Sequence, residues 1–323
     1  MREMQLEARW TKEIRERDLE LTGSSKEQLA AIVEGIVESY EEEESIHNVG
    51  NTLMPSRKEV VEILDGLTDL LYPGYFGERG IRRSDVTSYV GDKLMRVFKE
   101  LSRQVSLSVR HECIKSGELC TECVELGQAQ AIRLLNKIPM LRQVLAGDVK
   151  AAFDRDPAAR SFQEIVLSYP GVLAIAIYRL AHELWLQEVY LIARMMTEYA
   201  HSITGIDIHP GATIGSNFFI DHGTGVVIGE TTEIGDNVTI YQGVTLGGYK
   251  LRRAPDGSLE RGYKRHPTVG DNVIIYAGAT ILGGDAVIGA RAVTGGSVWL
   301  THSVPADAVV TIKNADLKYK VGY

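Results

Sequence analysis

Asp207 and His222 stand fifteen residues apart. A carboxylate beside an imidazole is the pairing that general-base chemistry uses, because it fixes the ring's tautomer and stabilises the imidazolium formed when the ring takes a proton from a hydroxyl. Fifteen residues is close to one turn of a solenoid with about 18 residues per coil, so a coiled chain brings the two near each other. The same positions also suit turn residues that satisfy local backbone groups, and spacing alone leaves both readings open. Arg265-His266-Pro267 offers a guanidinium and an imidazole, a pair suited to a carboxylate or to a solvated basic loop. Asp156-Pro157 on its own is an ordinary helix start, Asp at the N-cap and Pro after it. Glu230 follows the corner glycine Gly229 and reads as a supporting residue rather than a catalytic one.

These residues are carried by a six-residue repeat. Ile208, Ile214 and Ile220, then Ile228, Ile234, Ile240 and Leu246, then Val269, Ile275, Ile281, Val287, Val293 and Trp299 place an apolar side chain at every sixth position. A helix repeats near 3.6 and a strand near 2, so a hexad with Gly following several apolar positions predicts a parallel β-helix whose inward side chains stack coil on coil. Two surpluses interrupt the period, one within Asp221 to Gly225 and one at a loop around Gly247 to Pro267. Ionisable residues gather at both, which makes them the places to look for chemistry.

Residues 1–204 speak for helices. Ser24-x-x-Glu27 and Ser56-x-x-Glu59 have the form of capping boxes. The first precedes Leu29, Ile32, Val33, Ile36 and Val37 on one face, the second Val60, Ile63, Leu64, Leu67 and Leu71. Glu41 to Glu44 reads as a solvated helix end. Further helices are expected over 84–113, 121–138, 139–153, 158–168, 171–186 and 188–204, the last two apolar nearly all round and therefore buried. The organisation expected is a helical domain 1–204, a β-helix domain 205–304 and a tail 305–323.

The chain has 323 residues, a net charge of -8 and 44% hydrophobic residues. That balance argues against a partner held through phosphates and against an anionic membrane surface. No apolar run reaches the roughly 18 residues that span a bilayer. The charged segment Met1 to Glu20 does not read as a signal peptide, and three cysteines do not make a disulfide framework, so a reducing, cytoplasmic setting is expected. His111, Cys113, Cys120 and Cys123 are nonetheless clustered with donor types suited to a structural zinc or another metal, against the alternative of small half-buried residues in a helical hairpin.

Taken in order, Asp207-Ile208-His209-Pro210, Ile220 to Thr231, Thr245-Leu246-Gly247-Gly248 and Arg265-His266-Pro267 resemble the serine O-acetyltransferases among the hexapeptide-repeat acyltransferases. The resemblance extends back through Asp154-Arg155-Asp156-Pro157 and Tyr178-Arg179-x-x-His182. It implies an α+β chain, an N-terminal all-helical domain followed by a left-handed parallel β-helix. It further implies acetyl transfer from acetyl-CoA to the hydroxyl of L-serine by direct attack, with His222 as general base and Asp207 orienting it. By the same resemblance Asp156 and Asp221 hold the substrate ammonium, and Arg265 and His266 its carboxylate. Thr245, Gly247, Gly248, Ala277 and Gly278 line the CoA groove, between subunits of a trimer or a dimer of trimers. The chain ends in Tyr323 where such chains often end in Ile, which speaks against docking of the tail into O-acetylserine sulfhydrylase. Three alternatives stand beside this reading. They are a hexapeptide acyltransferase for another acceptor such as a sugar, a trimeric β-helix metalloenzyme built on His209, His222 and His266, and a non-catalytic solenoid scaffold that binds a sulfhydrylase.

Overall fold

A computed structural model describes residues 23–42, 46–49, 54–117 and 121–313. The chain divides into two compact units, Met1–Leu53 and Met54–Tyr323. In the first, α1 (Gly23–Glu42) carries the expected apolar stripe, but Leu29, Ile32, Val33, Ile36 and Val37 are exposed. Ser24 lies inside this helix rather than capping it, and its hydroxyl accepts from the Gln28 side chain. Part of the Glu41 to Glu44 run lies outside the described residues.

The second unit opens on α2 (Arg57–Leu71). Its capping box is half formed: the Ser56 hydroxyl accepts from the Glu59 N–H, while the Ser56 N–H donates to Gln104 instead of Glu59. Val60, Ile63, Leu64, Leu67 and Leu71 are buried as the spacing requires. Next come α3 (Val86–Lys115) and α4 (Cys123–Arg155). The two helices expected over 121–138 and 139–153 are one. Pro139 removes a backbone donor from the middle of α4, yet Leu134, Ile138, Leu141 and Leu145 are buried on either side, and that packing keeps the helix continuous. Three shorter helices follow, α5 (Phe162–Ser168), α6 (Pro170–Trp185) and α7 (Tyr190–Thr204). α6 is buried nearly all round; α7 buries only the stripe Ile192, Ala193, Met196, Thr197 and Ala200.

Among the described residues, fourteen two- or three-residue strands then wind through a parallel β-helix. The first coil is β1 (Asp207–Ile208), β2 (Thr213–Ile214) and β3 (Phe219–Ile220); the second is β4 (Val227–Ile228), β5 (Glu233–Ile234) and β6 (Thr239–Ile240). β7 (Thr245–Gly247), β8 (Thr268–Val269) and β9 (Ile274–Ile275) form the third, and β10 (Thr280–Leu282), β11 (Val287–Ile288) and β12 (Val293–Thr294) the fourth. β13 (Trp299–Leu300) and β14 (Val309–Val310) begin a fifth. The first sheet runs β1-β4-β7-β10-β13, the second β2-β5-β8-β11, the third β3-β6-β9-β12-β14, every pairing parallel.

The hexad phase holds from Ile208 to Ile281, all buried, and then fails. Val287 and Trp299 are exposed, Val293 is only partly buried, and the inward positions are Ile288, Thr294 and Leu300. One residue more than a hexad separates Ile281 from Ile288. The surplus lies at Leu282-Gly283-Gly284, where β10 is a residue longer and Gly283 takes φ 103°. Because side chains alternate across a strand, one added residue exchanges every inward position for its neighbour.

α6, and α4 through it, are strapped to the first coil by the Tyr178-Arg179-x-x-His182 motif. The Tyr178 hydroxyl donates to Ala212 O at 2.6 Å, and His182 Nδ1 meets Pro210 O at 2.7 Å. Buried Arg179 forms a bidentate pair with Asp148 of α4, at 2.7 and 3.0 Å, and donates to the carbonyls of Ile214 and Gly215. Asp148 in turn accepts the Phe218 N–H at 2.9 Å. Both members of this buried pair are thereby satisfied.

Candidate active site

The corner between the third and first sheets carries Asp221 and His222. Asp221 leaves β3 with its N–H on Ile240 O, and His222 follows in the left-handed region at φ 57°. That conformation is uncommon outside glycine and asparagine, and it turns the imidazole outward, its side chain 71% exposed. The Asp221 carboxylate lies 3.7 Å from His222 Nε2, an electrostatic neighbour at longer than hydrogen-bond range. On the coils above, Tyr241 and Tyr276 occupy the position of Asp221 and stack with centroids 5.1 Å apart.

Asp207 lies beneath this corner, where the Gly225 N–H bonds Gly205 O, but no ion pair joins it to His222 among the described residues. Its charged surroundings come from α7. Burial pushes the Asp207 carboxyl up, His201 lowers it, Glu198 raises it again and Arg194 lowers it. Sequence reading missed His201 and Glu198 as neighbours, although their place in the last two turns of the helix before the β-helix was a usable signal. Donor atoms of Glu198, His201 and Asp207 lie within 4.8 Å of one another. The Arg194 guanidinium already sits on Glu198, and its charge disfavours a cation there.

Asp156 ends α4 with a carboxylate that does two things. One oxygen accepts the Ala158 N–H at 2.8 Å, a turn contact of the kind expected from Asp-Pro, while the other accepts the Tyr169 hydroxyl at 2.5 Å. Burial, followed by Asp221 among other causes, pushes the Tyr241 phenol up, and Asp156 contributes as well. Both carboxylates are thus felt at one corner.

Arg265 and His266 stand elsewhere, at the corner between the first and second sheets. The Thr231 N–H, just past β4, donates to His266 Nδ1 at 3.0 Å, and Thr231 Oγ1 accepts the N–H groups of Arg265 and His266. An accepting Nδ1 puts the proton of the neutral ring on Nε2. Burial first, then the Arg265 charge, pull the His266 pKa down to about 4, so the ring stays neutral and Nε2–H is a fixed donor. Gly229 lies flat against that ring: a Cβ there would sit 2.1 Å from His266 Cδ2. The Arg265 guanidinium is held by Glu230.

The triangular coil therefore separates what the linear motif set joins. Asp156, Asp221 and His222 gather at one corner, Arg265 and His266 at another. The three histidines of the metalloenzyme alternative divide in the same way, with His209 and His266 at one corner and His222 at the other. His209 Nδ1 accepts the Gly211 N–H at 3.0 Å, its ring meets Trp185 edge-on, and burial pulls its pKa down to about 4. Thr245, Gly247 and Gly248 lie along and just past β7, and Ala277 and Gly278 follow β9 on the corner of His222, one sheet edge apart. The expected excursion between β7 and β8 leaves the coil as a small hairpin, bridged at Arg253 and Leu259. In the cysteine cluster, Cys113 carries a free thiol. Cys120 and the tail ending in Tyr323 lie outside the described residues.

No protein-family model matches the chain. It is similar to the plasmid serine acetyltransferase of Synechococcus elongatus, 43% identical over 265 residues, 80% of this chain and 82% of that protein. The serine acetyltransferase of Mycobacterium tuberculosis is 52% identical over 171 residues, 51% of this chain and 68% of the relative. Among solved structures, serine acetyltransferase isoform 3 of Entamoeba histolytica in complex with cysteine superposes with a TM-score of 0.67 at 32% identity, covering 84% of this chain and 86% of that one. The Neisseria gonorrhoeae enzyme in complex with serine gives 0.51 at 26%, covering 79% and 94%. The fold class is theirs, helices followed by a left-handed parallel β-helix.

Proposed function

As the chain belongs to the serine acetyltransferase family, we propose that two copies of it build each active site, the acidic corner of one facing the basic corner of the next. The reaction is acetyl transfer from acetyl-CoA to the hydroxyl of L-serine, within cysteine biosynthesis. A serine zwitterion carries opposite charges a few ångströms apart, and one observation supports the arrangement: the groups matching its two ends stand on different corners of each coil. Asp156 and Asp221 take the ammonium, and Arg265 with the Nε2–H of His266 takes the carboxylate. Cyclic packing of three copies supplies three such junctions, with the CoA groove along the same seam at Thr245, Gly247, Gly248, Ala277 and Gly278.

Held at both ends, serine presents its hydroxyl to His222, which removes the proton as the oxygen attacks the thioester carbonyl. The tetrahedral intermediate collapses with cleavage of the C–S bond, and the imidazolium returns its proton to the CoA sulfur. No acyl-enzyme is formed. Asp207, under the same corner, orients the ring. Residues up to Thr204 contribute Asp156 and the straps, and the β-helix contributes the rest.

Complementation tests the shared site. His222→Ala and Arg265→Ala chains are co-expressed so that copies mix, and are assayed at a serine concentration well below the raised KM of Arg265→Ala, where neither chain alone turns over appreciably. Random pairing leaves about a quarter of the junctions with both functional corners, so about a quarter of wild-type activity should return. Mixed assemblies with no gain over the separate variants would refute the two-copy site.

A further inference from the structure

We propose that Tyr169 is a positioning residue of the serine site, its hydroxyl holding the Asp156 carboxylate so that an oxygen faces the substrate ammonium. The proposal rests on the reading of Asp156 as an ammonium ligand and deepens it. Asp156 needs no tyrosine for its local job, since the turn is closed by the Ala158 N–H on the other oxygen. A carboxylate offers about four lone-pair directions; these two contacts use two and leave the remainder for an ammonium with three N–H groups.

Tyr169 is itself fixed from both sides. It ends α5 with its N–H on Ile165 O at 3.1 Å and precedes Pro170, the first residue of α6, which confines it to the extended backbone observed, φ -86° and ψ 114°. Two residues on, Gly171 packs so closely on β3 that an added Cβ would lie 2.4 Å from Ile220 O. Ile220 is the residue before Asp221. The tyrosine is therefore bolted to the corner that carries Asp221 and His222, and its hydroxyl carries that registration across to Asp156 at the end of α4. Its own phenol is pushed up to about 12, by burial first, then the hydrogen bond to Asp156, with the Asp221 charge also contributing. It stays protonated at working pH and acts as a donor, never as a second base.

Steady-state kinetics of Tyr169→Phe, Asp156→Asn and the double variant, with serine and acetyl-CoA varied separately, test the assignment. Loss of one donor to a carboxylate should raise the serine KM of Tyr169→Phe roughly 5- to 30-fold. The acetyl-CoA KM and kcat should stay within about twofold, since the contact is made in ground and transition states alike. Because Tyr169 acts only through Asp156, the double variant should be no worse than Asp156→Asn alone. An unchanged serine KM in Tyr169→Phe, or multiplication of the two effects in the double variant, overturns the proposal. If Asp156→Asn itself leaves the serine KM unchanged, the ammonium reading falls first and this one with it. A serine KM raised by Asp156→Asn but not by Tyr169→Phe removes Tyr169 alone. Serine affinity measured by calorimetry on the same variants must show the same loss, which a merely misfolded fraction would not.

Discussion

Gly229→Ala puts the carboxylate-binding corner to a sharp test. Gly229 is not among the residues at positive φ, so alanine suits its backbone, and the perturbation is steric. The new methyl would lie 2.1 Å from Cδ2 and 2.2 Å from Nε2 of His266, where ordinary contact begins near 3.4 Å. The ring must retreat by more than 1 Å or rotate, on the order of what separates a contact from a clash. Either movement breaks the 3.0 Å bond from the Thr231 N–H to Nδ1 and swings Nε2–H off its line. A hydrogen bond to a charged group is worth about 1.5–3 kcal/mol, so kcat/KM for serine should fall about 10- to 150-fold, expressed mainly in KM. The assay is thiol release with acetyl-CoA saturating and serine varied, alongside a thermal melt. Wild-type serine KM in a folded Gly229→Ala enzyme would refute the assignment of His266 as a serine contact.

Removing the base itself, in His222→Ala, should lower kcat by roughly 10²–10⁴ while the melt is unaffected, and Asp207→Asn should do less damage; near wild-type turnover in His222→Ala would mean another group takes the proton. Acid should destabilise the fold in a defined window. The folded pKa values of His209 and His266 near 4 lie below the usual 6.5, so the unfolded chain binds more protons between those values, and stability present above pH 6.5 is lost as pH falls toward 4. For buried His266 the full span is on the order of 3 kcal/mol. Melting temperature followed from pH 7 to 4.5 should drop, with a shallower slope in His266→Asn; equal slopes would show that the ring is not held neutral.

Much of this protein is one-dimensional information. An inward side chain every sixth residue from Ile208 to Ile281 is a local rule, and those residues are buried because each coil repeats the same three short strands. Likewise Val60 to Leu71 reads as a buried helix face from spacing alone, since 3.6-residue periodicity does not depend on what covers it. Counting coils would also have revealed the separated corners, because the strand number modulo three tells which corner follows β3 and which precedes β8. Tertiary structure decided what no local rule contains. The added residue at Leu282 to Gly284 moved Val287 and Trp299 outward, and apolar neighbours on both faces hid the shift from the sequence. Pro139 remained inside α4 because packing outweighed one lost hydrogen bond. The Thr231 clasp on His266, the Tyr169 bond to Asp156 and the α7 groups around Asp207 join residues by contact across elements. Periodicity fixes which way a side chain points; only packing of one element on another fixes what it meets.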